Sequence, residues 1–281
     1  MFLVNLPIGA AVYACCVWLL PKHQAGAARP RLDVGGALTA TAASMLVIYG
    51  IVNGQSMILL TGIALFAAFL IIEARVRNPL MPLRLFRVRS VSVTNAIGVL
   101  WAAAMFAWFF ISALYMQLVL GYDPLQIGLA FLPANLIMAV FSIWLSAKLV
   151  MRFGLRLPIL GGMLLAAAGL GLFALSGGSF VAHVLPGMLL LGLGCGMALN
   201  PVMLAAMSDV PASESGLASG VVNTSFMMGG AIGLAALARL SESSGYHAAF
   251  FAGAVFALAA ALLAVLLREP ATSSEGVEYA R

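Results

Sequence analysis

The chain has 281 residues, of which 63% are hydrophobic and 8% charged, with a mean hydropathy of +1.10 and a formal net charge of +5. Soluble domains carry about 25% charged residues, so this composition excludes a water-soluble fold. The basic excess is scattered through short segments between apolar runs, which excludes a nucleic-acid-binding surface. The apolar runs are continuous rather than alternating, so an all-α polytopic membrane protein is expected and a barrel is not.

Nine runs are long and apolar enough to be spans, at about 2–20, 34–53, 57–74, 91–120, 125–147, 157–176, 182–207, 214–238 and 247–267. A helix needs ~20 apolar residues to cross the hydrocarbon core of a bilayer. The pattern is clearest at 91–147, where two uncharged runs flank the polar turn Leu120-Gly121-Tyr122-Asp123-Pro124. Lys148, Arg152 and Arg156 follow at once.

Basic residues gather in cytoplasmic loops. All fourteen lysines and arginines except Arg239 fall in alternate segments: 21–33, 75–90, 148–156 and the C-terminal tail. That side is therefore expected to be cytoplasmic, with the chain starting outside and ending inside. An opening Met-Phe-Leu-Val-Asn-Leu-Pro has no evident means of reaching the outer face. Earlier spans are therefore expected upstream.

Segment 75–90 alternates arginine with leucine, phenylalanine and valine, as suits a segment lying at headgroup level beside anionic lipid. It divides a front part, 1–74, from six spans, 91–267. Those six show a weak three-plus-three symmetry of hydropathy, as transporters built from repeats do.

No ionised residue is expected at the centre of a span. Asp33 and Glu73 mark inner ends, Asp123 an outer turn, and Asp209 and Glu214 an inner one. The histidines (His23, His183, His247) are dispersed, so neither an enzyme's acid–base cluster nor a metal-ligand spacing is present. Cys15, Cys16 and Cys195 lie inside apolar runs as small hydrophobes. No catalytic residue, metal or cofactor is assigned.

The uncharged polar residues are the candidates for a substrate cavity. Asn200 follows Gly192 and Gly196 at steps of four, with Pro201 next; Asn223 shares a face with Gly216, Gly220, Met227 and Gly230. Small residues at such steps let helices approach closely, so each Asn is either interhelical glue or cavity wall. Trp101, Trp108 and Tyr115 recur every seven residues with Met105 and Ser112, as a packing stripe or a pocket lining for lipophilic molecules. Gln117 and Asn135 complete the set.

Several segments together resemble the major facilitator superfamily, in its fourteen-span drug:proton antiporter branch. Phe2-Leu3-Val4-Asn5-Leu6-Pro7-Ile8-Gly9 resembles the start of span six. Leu32-Asp33-Val34-Gly35-Gly36 resembles the first of two extra spans between the bundles. Tyr115-Met116-Gln117, Gly121 to Leu129 and Leu132-Pro133 resemble the first hairpin of the C-terminal bundle. Arg152-Phe153-Gly154-Leu155-Arg156 resembles the basic inner-loop motif, although Met151 stands where an acid usual in that motif would be. Gly216-Leu217-Ala218-Ser219-Gly220, Asn223-Thr224 and Gly229-Gly230-Ala231-Ile232-Gly233 resemble the penultimate span.

The resemblance implies a major facilitator-type helical bundle with an incomplete N-terminal half. Residues 1–21 would be the last span of that half and 22–78 two linker spans. Residues 79–90 would form an interfacial loop, 91–268 the six-span C-terminal bundle, and 269–281 a cytoplasmic tail. It implies a non-enzymatic, multi-pass inner-membrane exporter of lipophilic small molecules, driven by protons through alternating access. Trp108, Gln117, Asn135, Asn200 and Asn223 would line its cavity, and Lys148, Arg152 and Arg156 would serve as inner gate or topology anchor. The family's proton-coupling acids and arginines lie mainly in the spans not represented here. A truncated product acting as a scaffold, and a polytopic membrane enzyme, are the alternatives. An in-frame upstream sequence encoding five more spans discriminates the first, and loss of activity on changing a single His or Asp the second.

Overall fold

A computed structural model describes residues 5–19, 33–76, 79, 81–175, 180–211 and 214–267. Loop 21–32, the tail from 268 onward, Arg77 and the opening Phe2-Leu3-Val4 lie outside the described residues. Every extended element among the described residues is a helix. Eight are long and apolar enough to cross a bilayer, and one more, α1 (Asn5–Leu19), is apolar but shorter. Helix α1 belongs to a compact unit of its own, residues 1–32, and the rest forms a second unit.

In that second unit, α2 (Val34–Val52) and α3 (Ser56–Arg75) form a hairpin. Asp33 caps α2, its carboxylate accepting the Gly36 N–H at 2.8 Å. This explains an Asp followed three residues later by Gly in the motif quoted above. A 3₁₀ segment, Leu83–Arg87, leads into α4 (Arg89–Leu118). After Gly121, at φ 70°, α5 (Pro124–Val140) begins with a reciprocal cap. The Asp123 carboxylate accepts from Gln126 N–H at 2.8 Å, and Gln126 Oε1 accepts from Asp123 N–H at 3.0 Å. With Pro124 in the first turn, the polar motif of this hairpin is a helix-start signal.

Helix α5 runs through a widened π turn, Phe141–Leu145, into α6 (Ser146–Phe153). Lys148 and Arg152 were expected in a loop; they lie on α6, and the chain turns only at Gly154, at φ 73°. Helices α7 (Arg156–Ala174), α8 (Leu185–Ala205), α9 (Ser215–Ser244) and α10 (Tyr246–Ala264) follow, α8 being preceded by a π turn, Phe180–Val184. Arg239 was likewise expected in an outer loop. It lies within α9, which runs to Ser244 because Gly245 is the first residue to leave the helical region.

Helix α4 packs against α9 and α10, α7 against α8 and α10, and α5 against α8. Between lipid-soluble helices the association comes from close packing of small residues. On α7 and α8 the contacts are reciprocal. A Cβ on Gly162 would lie 2.6 Å from Gly194 O, and one on Gly169 2.7 Å from Gly187 O. On α9, Gly229 abuts Val99, Gly230 abuts Phe106 and Gly233 abuts Ala103. The hairpin rests on the bundle through α2 and α9. Its turn meets α9 at Gly54, where a Cβ would lie 3.2 Å from Arg239 Nη2.

Candidate functional site

The aromatic stripe of α4 packs. Trp101, Trp108 and Tyr115 are each no more than 2% exposed. Trp101 lies edge-on to Phe226 of α9, Trp108 lies against Phe109 and Phe131, and Tyr115 against Tyr246 and Phe250. Ser112, fully buried, donates to the Trp108 carbonyl of its own helix. Trp108 therefore stands behind Phe131 in the bundle core.

The glycine stripe of α8 meets α5 in register. Cβ atoms on Gly192 and Gly196 would lie 2.5 Å from Ala134 O and 2.8 Å from Met138 O. One further step of four on each helix brings Asn200 to Ser142, where its Nδ2 donates to Ser142 O at 2.8 Å and lies 3.1 Å from Ser142 Oγ. The π turn makes that carbonyl available: Ser146 N–H bonds to Phe141 O, five residues back, instead of Ser142 O. Insertions of this kind inside helices recur at functional sites. Asn200 is thus the interhelical tie, and it also borders a crevice of about 480 Å³ with Ser146, Met151 and Met207.

Lys148 and Arg152 are exposed on the helix segment that forms one side of this crevice, and Arg156 is half-buried at the start of α7. The Arg152 guanidinium lies 5.3 Å from the centre of the Phe153 ring. Gln117, Asn135 and Asn223 are all exposed, on α4, α5 and α9 respectively. No hydrogen bond joins these three among the described residues. The glycines nearest Asn223 differ in kind: Gly216 and Gly220 face open space, whereas Gly229, Gly230 and Gly233 are pressed against α4.

Two features escaped the sequence reading. Glu73 lies in the last turn of α3, at the end of its span, and is 3% exposed, its Oε2 accepting the Met81 N–H at 3.1 Å. Its position on α3, two residues before Arg75, gave no sign of this. The second feature is a crevice of about 700 Å³ between the hairpin and α9, bordered by the 3₁₀ segment. It forms only when segments 40–86 and 216–232 come together, so no local pattern announces it.

A bundle of apolar helices seamed by glycines, eight of them long enough to cross a bilayer, is a polytopic membrane protein. The family model of the Major Facilitator Superfamily matches residues 1–234 and 149–280. The chain belongs to that superfamily. Similar proteins include the puromycin resistance protein pur8 of Streptomyces alboniger, 32% identical over 89% of this chain and 51% of the relative. The lincomycin resistance protein of Streptomyces lincolnensis is 34% identical over 86% of this chain and 52% of its own length. The cephamycin export protein CmcT of Amycolatopsis lactamdurans is 33% identical over 98% of this chain and 61% of its own length. The chain thus spans about half the length of the curated relatives it matches.

Proposed function

We propose that this chain forms the C-terminal bundle and linker hairpin of an efflux transporter for drug-like or secondary-metabolite molecules, driven by protons. In this reading it belongs to the fourteen-span branch and sits in the inner membrane with its C-terminus in the cytoplasm. Residues 1–21 supply the last span of the other bundle, 22–78 the linker spans, and 91–268 the bundle itself. Transport proceeds by rocking of the two bundles about a site between them.

One observation carries the reading: Gln117, Asn135, Asn200 and Asn223 are exposed on spans whose open surface away from the ends is largely apolar. A polar group facing hydrocarbon is costly, so these residues require a covering surface or a watered cavity. A second bundle provides both, and the relatives, about twice as long, have the length for one. The names of those relatives, resistance and export proteins for chemically diverse antibiotics, support the substrate class. Trp108 acts from behind, holding Phe131 of α5. Lys148, Arg152 and Arg156 anchor the inner end of α6 and α7.

The test is efflux of a fluorescent lipophilic substrate from intact cells carrying the complete reading frame, with Asn200→Ala and Asn223→Ala variants. Efflux should fall several-fold in each variant and collapse with an uncoupler. Efflux untouched by either substitution removes the cavity assignment, and efflux indifferent to the uncoupler removes proton coupling.

A further inference from the structure

We infer that the crevice between the linker hairpin and α9 is a binding site for one anionic phospholipid. Its walls are apolar: Phe66 and Phe69 from α3, Phe86 from the 3₁₀ segment, and Met228 from α9. Its volume, about 700 Å³, is within the ~300–1,000 Å³ range of specific ligand sites. Gly216 and Gly220 line it, and a Cβ on either would meet nothing within 4 Å. These two glycines do not serve helix contact as their neighbours at 229–233 do; they keep a channel open along α9.

The 3₁₀ segment makes the crevice amphipathic. With three residues per turn, every third side chain falls on one edge. Leu83 and Phe86 form the edge lining the crevice. Pro82 and Leu85 form a second edge and are buried, Leu85 packing on Val91 and Val221. Arg84 and Arg87 form the third edge and are exposed, with exposed Arg89 at the start of α4 beyond them. Arg84 is bound to Glu214 at 2.8 Å, and Arg87 and Arg89, on or next to the segment that borders the crevice, form no ion pair among the described residues. An apolar slot at membrane depth with arginines at its basic end fits an acyl chain inside and a phosphate headgroup outside. Basic pockets between spans at the cytoplasmic side bind anionic headgroups by this combination. A zwitterionic lipid fills the slot equally well but gains nothing from the arginines, and a drug-sized cation is repelled by them.

The experiment requires no transport, so its outcome is separate from that of the efflux assay. The full chain is reconstituted in nanodiscs of equimolar phosphatidylglycerol and phosphatidylcholine, and retained lipid is measured by native mass spectrometry. One retained phospholipid is expected, predominantly phosphatidylglycerol. Each arginine near an anionic group is worth on the order of fivefold in affinity, so R84Q/R87Q should lower the phosphatidylglycerol preference by roughly 30-fold. Gly220→Leu, which fills the slot from a position with room for it, should abolish retention, as should Thr224→Phe. Helical circular dichroism and tryptophan emission matching the parent show that these variants fold. Equal retention of the two lipids by the parent, or undiminished retention by both folded slot-filling variants, overturns the proposal.

Discussion

Replacing Gly233 by alanine probes the α4–α9 seam most directly. The new Cβ would lie 2.1 Å from Ala103 Cβ and 2.5 Å from Ala103 Cα. Carbon atoms rest about 3.5–4.0 Å apart, so the helices must separate locally by roughly 1.5 Å. Neither opposing atom is the tip of a flexible side chain, and no rotamer change relieves the clash. The neighbouring contacts of Gly229 with Val99 and Gly230 with Phe106 loosen with it, since a gap of ~0.5–1 Å forfeits a quarter to a half of each dispersion well. Overpacking of this kind costs about 1–3 kcal/mol, offset by up to ~1 kcal/mol of helix propensity gained on replacing glycine. Gly220→Ala, in the same helix, meets nothing within 4 Å and reports the propensity gain alone. The two variants should therefore differ in stability by about 1–3 kcal/mol despite identical chemistry. Titration of the purified chain from mild into denaturing detergent, followed by tryptophan emission, measures this; Trp101 reports on the seam through Phe226. Coincident midpoints for the two variants would refute the close approach of α4 and α9.

Asn200→Ala removes both links to Ser142 and should destabilise the α5–α8 pair by about 0.6 kcal/mol, and at most ~1.7, the range for such bonds in membranes; the same detergent titration reads it. Glu73→Ala strips the acceptor from the Met81 N–H and should cost about 1–3 kcal/mol. Faster amide exchange at Met81 would show the loss, while Glu73→Gln, which keeps an acceptor, should largely restore protection. Arg84→Gln breaks an ion pair in which the arginine is 67% exposed. It should change stability by less than ~1 kcal/mol, and a larger change that persists at high salt would mean that the pair ties the 3₁₀ segment to α9 more strongly than its exposure suggests.

Much of the architecture was legible because the bilayer imposes a single length scale. Runs of about twenty apolar residues had to be helices, and eight of the nine expected runs match long apolar helices with ends shifted by a few residues. Charge is a poor marker of where these helices end. Lys148, Arg152 and Arg239 sit on helices, because a helix continues into the interface until a residue such as Gly154 or Gly245 adopts positive φ. Repeats of glycine at steps of four announced close helix contacts but not which glycines would make them. Gly192 and Gly196 meet α5, whereas Gly216 and Gly220 meet open space. The choice between glue and cavity wall at Asn200 stayed open in the sequence, since it depends on Ser142, 58 positions away.

By itself the sequence determined the class and the order of the eight long apolar helices. Composition and the spacing of apolar runs are local properties, and the cost of polar groups in hydrocarbon reads them directly. Only the tertiary structure decided that the aromatic stripe of α4 is core, that Glu73 is buried against Met81, and that the hairpin leaves a slot against α9. Each of these depends on which helix face meets which neighbour. Within lipid, apolar faces are nearly equivalent, and steric fit between distant segments, which no local pattern encodes, selects among them.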